Sequence, residues 1–167
     1  EEVETMMTLF DKHNKDIAKQ VGISVSAATF QKYNVCKRHF MTFLQDKYKR
    51  SDIRLSELTY IIIHDFDIYL RTVVGQNPNT ATKTMKTFKT ITILGRKMGV
   101  IHHEPFLNHR FHLEPVNRGF LTDEEILKIA NKDLGIQRLE LVRDLFVFSC
   151  FTGLAYIDVA NLTPENI

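Results

Sequence analysis

The chain has 167 residues, 44% hydrophobic and 25% charged, the composition of a globular protein with one domain or one domain and part of another. No apolar run reaches the roughly 18 residues of a membrane span, and no signal peptide opens the sequence. The formal net charge of +2 conceals a partition: residues 24–99 hold thirteen Lys/Arg against five Asp/Glu, a net +8, between flanks of −2 and −4. That block fits either a polyanion-binding surface or a lysine-rich solvated helical face.

Along the chain the pattern is helix after helix. Residues 3–20 place Met6, Met7, Phe10 and Ile17 at helical spacing before Gly22. Ser26 is a cap for a helix reaching about residue 47, with Tyr33, Cys36, Phe40, Phe43 and Leu44 as its apolar stripe. Residues 50–58 form a connector anchored by Leu55. A third helix spans about 60–74 and stops at Gly75. Pro78 opens a fourth, which runs to about residue 98 with Ala81, Met85, Phe88, Ile91 and Met98 inward. The expectation is a helical domain over residues 1–100.

Residues 101–117 hold two prolines, four histidines and little periodicity, and the whole stretch 101–118 reads as a linker. Thr122 and Glu125 form a capping-box signal for a short helix. A further helix, 137–151, is apolar nearly all round and therefore built to be buried. About fifty residues are too few to bury it, so 119–167 is expected to be an incomplete domain, prone to association. Glu1 is no initiator methionine, and the chain is expected to start inside a longer product. Cys36 and Cys150, both in apolar helical patterns, read as buried free thiols of a reducing compartment. His102, His103, His109 and His112 match no compact ligand spacing, so neither a metal nor a cofactor is expected.

The most informative phrase comes last: Thr152-Gly153-Leu154-Ala155-Tyr156-Ile157-Asp158. It resembles the T-G-L-R-x-x-E-L box of tyrosine recombinases, the phage-integrase superfamily. Gly119-Phe120-Leu121-Thr122-Asp123-Glu124-Glu125 resembles the phrase that leads into the family's catalytic domain, and Arg143-Asp144-Leu145-Phe146 continues it in order. The Ser26 cap, Thr29, Tyr33, Phe40, Leu44 and the late Asn77-Pro78-Asn79-Thr80 resemble the form found in integrases of conjugative transposons from gut anaerobes.

The resemblance implies a mainly α fold: a SAM-like helical core-binding bundle, then the truncated N-terminal part of a mixed α/β catalytic domain. It implies a cytoplasmic, bacterial DNA-binding fragment of a site-specific recombinase. The parent would integrate and excise a mobile element through a 3′-phosphotyrosyl intermediate and self-associate on double-stranded attachment sites. Two readings compete with it: a catalytically silent DNA-binding regulator on the same scaffold, and a helical protein-interaction module.

The family's first catalytic arginine falls at Ala155, and none of Tyr33, Tyr48, Tyr60, Tyr69 or Tyr156 stands at its nucleophile position. No catalytic residue is therefore assigned, and the fragment is expected to be inactive. Tyr156 reads as a packing residue, and Arg143 as a local partner of Asp144 or Glu140. The candidate DNA-binding residues are Thr29, Lys32, Lys83, Lys86, Lys89 and Lys97. The lysines offer phosphate contact, and Thr29 sits near a helix start whose N–H groups favour anions.

Overall fold

Side-chain caps set several of the helix starts in the computed structural model, which describes residues 4–163 and 165. Thr5 and Thr8 cap each other's backbone at the head of α1, Met6–Ala18. Ser26 Oγ accepts from the Thr29 N–H at 3.1 Å and opens α2, Ala27–Phe43. Helix α3 is Tyr60–Thr72, and α4 is Pro78–Lys97. Asn77 caps α4, where Pro78 fills a first-turn position that needs no N–H. The helix expected from residue 3 begins at Met6; Val3 lies outside the described residues. The chain divides into two compact units, Glu1–Pro115 and Val116–Ile167.

The first unit is a helical SAM-like bundle around phenylalanine. Phe10, Phe40, Phe43, Phe66, Phe88 and Phe106 are fully buried. Phe88, on α4, is the shared contact. Its ring lies 4.5 Å from Phe40 on α2, 5.4 Å from Phe66 on α3 and 5.8 Å from Phe10 on α1. Phe106 reaches it at 5.9 Å from beyond α4. Ile53, Leu55 and Leu58 bury the connector, whose backbone pairs with the start of α1 through Met6 N–H to Ile53 O at 3.0 Å. Met98, expected inward, is instead partly exposed at the C-terminal end of α4.

Two segments differ from the sequence expectation. The second helix does not run on as α-helix: from Leu44 to Tyr48 it widens to a π-helix, closed by Lys49 at φ 56°. The reason is tertiary. Tyr48 Oη donates to Asp65 at 2.7 Å, Tyr69 Oη donates to Asp46 at 2.6 Å, and Lys47 pairs with Asp65 at 2.7 Å. These bonds stitch the end of α2 to α3, and one wider turn supplies the register they need.

The second difference is the stretch expected as a linker. Residues 101–115 carry no regular helix but belong to the first unit. Ile101 and Phe106 are buried. Ile101 settles against Gly95, where a Cβ would meet its Cδ1 at 2.7 Å and Leu9 Cδ2 at 2.9 Å. His103 Nε2 donates to Leu58 O at 2.7 Å, and Thr82 Oγ1 donates to His112 O at 2.7 Å. The Asn79 amide donates to Glu114 O at 3.0 Å and accepts from its N–H at 2.8 Å. The stretch is a strap laid on the bundle, and its polar atoms are answered by side chains instead of a ladder.

In the second unit, α5 is Asp123–Ala130, α6 is Gln137–Thr152 and α7 is Tyr156–Ala160. Thr122 and Glu125 form the capping box. None of the described residues of these helices is buried. Leu141, Val142, Phe146 and Phe151 are all exposed, so the apolar face of α6 stands open. Cys150 is exposed too, contrary to expectation, while Cys36 is buried and burial pushes its thiol far up.

Two predictions follow from the packing. Phe88→Ala removes a ring that α1, α2, α3 and the strap all meet and should cost about 3–5 kcal/mol, read as a lower urea midpoint. The second concerns alkaline pH. Burial, and then donation to a carboxylate, push Tyr48 and Tyr69 from 10.0 up to about 12. The folded state therefore keeps protons that the unfolded chain loses, and this stabilisation is complete below pH 10 and fades as pH climbs through about 12. Thermal midpoints should fall across that window, and less steeply in the Tyr48→Phe/Tyr69→Phe double variant.

Candidate nucleic-acid interface

The α2–α4 seam collects the positive charge. Lys32 projects from α2, and Lys83 and Lys86 project from α4 one turn apart. With Thr87 and Thr90 they line an open groove of about 300 Å³. Beneath it, the buried Tyr33 holds the two helices together. Burial pushes its hydroxyl pKa up and the neighbouring Cys36 adds to this, while a hydrogen bond with Thr90 opposes both. The Thr87 and Thr90 hydroxyls donate to the carbonyls of Lys83 and Lys86 at 3.0 and 3.1 Å. Their protons are committed to the helix, so an anion entering the groove meets donors chiefly from the ammonium groups.

Ion pairing sharpens the contrast. Lys37, Lys47, Arg50 and Arg71 each hold a carboxylate, at 2.5, 2.7, 2.9 and 3.1 Å, and Arg96 pairs with Glu104. Among the described residues of the basic block, Lys32, Lys83, Lys86 and Lys97 form no ion pair, nor do Arg38, Lys49, Arg54 and Lys89. Their charge is not cancelled by a carboxylate. Lys32 Nζ lies 5.0 Å from the centre of the Tyr33 ring and Lys86 Nζ 6.0 Å from that of Phe111, and ammonium groups so placed suit phosphate, which asks for charge before direction.

The other candidates lie elsewhere. Thr29 is half-buried, and both its N–H and Oγ1 are engaged by Ser26, so the cap uses the anion-favouring group. Lys89 is half-buried, with Nζ 5.3 Å from the centre of the Phe111 ring and 6.0 Å from that of Phe106. Lys97 is exposed at the end of α4, roughly 16 Å along the axis from Lys86, and does not line the groove. Sequence reasoning left out Thr87 and the aromatic strap. Thr87 was within reach of helical spacing from Lys83; the strap was not, because it has no period.

In the second unit, Gly153 ends α6 at φ 71° and Ala155 caps α7 in extended conformation. Asp158 is exposed in the first turn of α7, and Tyr156 is 80% exposed, so it is not a packing residue. Arg143 Nε donates to Asp144 at 2.8 Å and Nη1 to Lys132 O at 2.6 Å, the local pairing its neighbours led one to expect. Pro164, Asn166 and Ile167, at the end of the motif, lie outside the described residues. Of the loop histidines, His103 is tied to Leu58 and His109 packs on Phe106 and Phe111. Among the described residues no three metal-ligating side chains converge, and no helix is long and apolar enough to cross a membrane.

The family model of the phage integrase SAM-like domain matches residues 5–111, most of the chain. The chain belongs to that family. The match runs from the cap of α1 through Phe111, and so takes in the four helices and the strap as far as Phe111. No curated protein and no solved structure matches the chain significantly. As an integrase-family SAM-like domain, the bundle is a member of the tyrosine recombinase superfamily.

Proposed function

We propose that this chain is the DNA-gripping portion of a site-specific tyrosine recombinase. The parent protein integrates and excises a mobile element through a 3′-phosphotyrosyl intermediate and self-associates on double-stranded attachment sites. The α2–α4 groove carries the reading: three unpaired lysines from two helices converge on one face of an integrase-family bundle. In the proposed interface Lys32, Lys83 and Lys86 contact phosphates directly, Lys89 and Lys97 extend the basic surface, and Thr29 fixes the start of α2.

The second unit is proposed as the opening of a catalytic domain, and the exposed apolar face of α6 supports this. This chain itself does not cut DNA on the reading proposed. Tyr48 and Tyr69 are held neutral on carboxylates, and Tyr33 is buried with a raised pKa. Position 155, where the family carries its first arginine, is alanine. A nicked suicide substrate should therefore trap no covalent protein–DNA adduct; an adduct mapped to any of the five tyrosines refutes this.

The interface is tested by titrating a labelled duplex at several salt concentrations. If about four to six phosphates are contacted, log K should fall against log salt with a slope near −4 to −5. Lys83→Ala/Lys86→Ala should flatten the slope by about 1.8 units and weaken unrelated sequences alike, because phosphate contacts carry no direct sequence information. Binding that ignores salt, or a double variant that matches the parent, favours a protein-interaction role for this bundle.

A further inference from the structure

We infer that Phe111 is a positioning residue for DNA binding, its ring holding the ammonium groups of Lys86 and Lys89 in place on α4 before a phosphate arrives. The inference rests on the groove being a phosphate-binding surface, and adds a residue that carries no charge and is not part of the groove.

The geometry is an aromatic shelf. Phe111 is half-buried and stacks on Phe106 with centroids 6.0 Å apart and planes 14° apart. His109 meets it edge-on at 4.7 Å. Phe106 is itself buried against Phe88, so the shelf is continuous with the core. Just after Phe111 the strap is bonded to α4 at Thr82–His112 and Asn79–Glu114, and before it the strap is held by buried Phe106 and by the His103–Leu58 bond. The segment that carries the ring is thus anchored before Phe111 by packing and after it by hydrogen bonds. Lys89 Nζ lies 5.3 Å from its centroid and Lys86 Nζ lies 6.0 Å away, both within cation–π range.

The kind of contact matters. A carboxylate would hold a lysine equally well but would cancel its charge and occupy its N–H groups. An aromatic face attracts the cation through its quadrupole and leaves the charge and the three donors free for a phosphate. A lysine free in solvent loses rotamer freedom when it settles on DNA, whereas one already resting on a ring has lost part of it beforehand. Lys86 also lines the groove with Lys32 and Lys83, which places the shelf beside the proposed phosphate path. Lys89 has its ammonium over two rings of the same shelf, and so joins Lys86 from one turn further along α4.

The test uses the full chain and four variants: Phe111→Leu, Phe111→Tyr, Lys86→Ala/Lys89→Ala, and the last combined with Phe111→Leu. Leucine keeps the apolar contact with Phe106 and removes the quadrupole. It should weaken duplex binding at low salt about two- to fivefold, the range of an exposed cation–π contact, with an unchanged thermal midpoint. Tyrosine, which keeps the ring face, should restore the lost affinity. In the Lys86→Ala/Lys89→Ala background, Phe111→Leu should change nothing further, because the ring acts through those two ammonium groups. If the parent binds DNA with a salt slope and Phe111→Leu binds equally well, the positioning role is overturned while the interface stands. Equal weakening in both backgrounds also overturns it, since the ring would then serve only the strap. A parent chain that shows no salt-dependent binding overturns both readings.

Discussion

Phe88 is where the bundle is joined. Its ring is the surface that α1, α2, α3 and the strap share, and each reaches it with a phenylalanine of its own. Rings that meet tilted or edge-on gain from their quadrupoles as well as from the area they bury. Because α4 supplies this shared ring from one face and the unpaired lysines from another, the orientation of the basic groove is set by the core. The residues that read as a charge pattern and those that read as a hydrophobic pattern are two faces of one helix.

The distribution of carboxylates is the second constraint. The bundle has enough acids to neutralise many of its cations, and it uses them around the connector, the end of α2 and the α1–α2 seam. They do not reach the α2–α4 groove. On the proposed reading, what would separate a solvated lysine-rich face from an anion-binding one is the location of the acids, more than the number of lysines. Exposed ion pairs contribute little to stability; their larger effect in this molecule is to decide where positive charge remains uncancelled.

Much of the fold was legible because its signals are local. Ser26, Thr122 and Pro78 mark helix starts, and Gly75 and Gly153 mark stops at positive φ, each within a few residues of the event it controls. The family resemblance rested on the same short phrases. The π turn was not legible, because it depends on Asp65 and Tyr69, which are distant in sequence from Leu44. Nor was the strap: aperiodic sequence with two prolines looks like a tether, and only Gly95, Asn79 and Thr82 on a neighbouring helix turn it into packed structure. Charge, helical spacing and the family resemblance pointed to Lys32, Lys83, Lys86 and Lys89 together; that the first three line one groove while Lys89 lies against the aromatic strap was not legible, because the strap has no period.

The π turn has an evolutionary consequence. It holds one residue more than an α-turn would, so it is in effect an insertion that the helix has absorbed. Deleting a single residue there, even the exposed Gln45, would restore the ordinary winding. Everything between the deletion and Lys49 would then rotate by about 100° about the helix axis. Asp46 and Tyr48 would swing away from Tyr69 and Asp65 together. Substitutions at Gln45 leave that register alone. At Gln45 the presence of a residue therefore matters more to the fold than which residue it is, whereas Asp46, Lys47 and Tyr48 matter for their side chains as well.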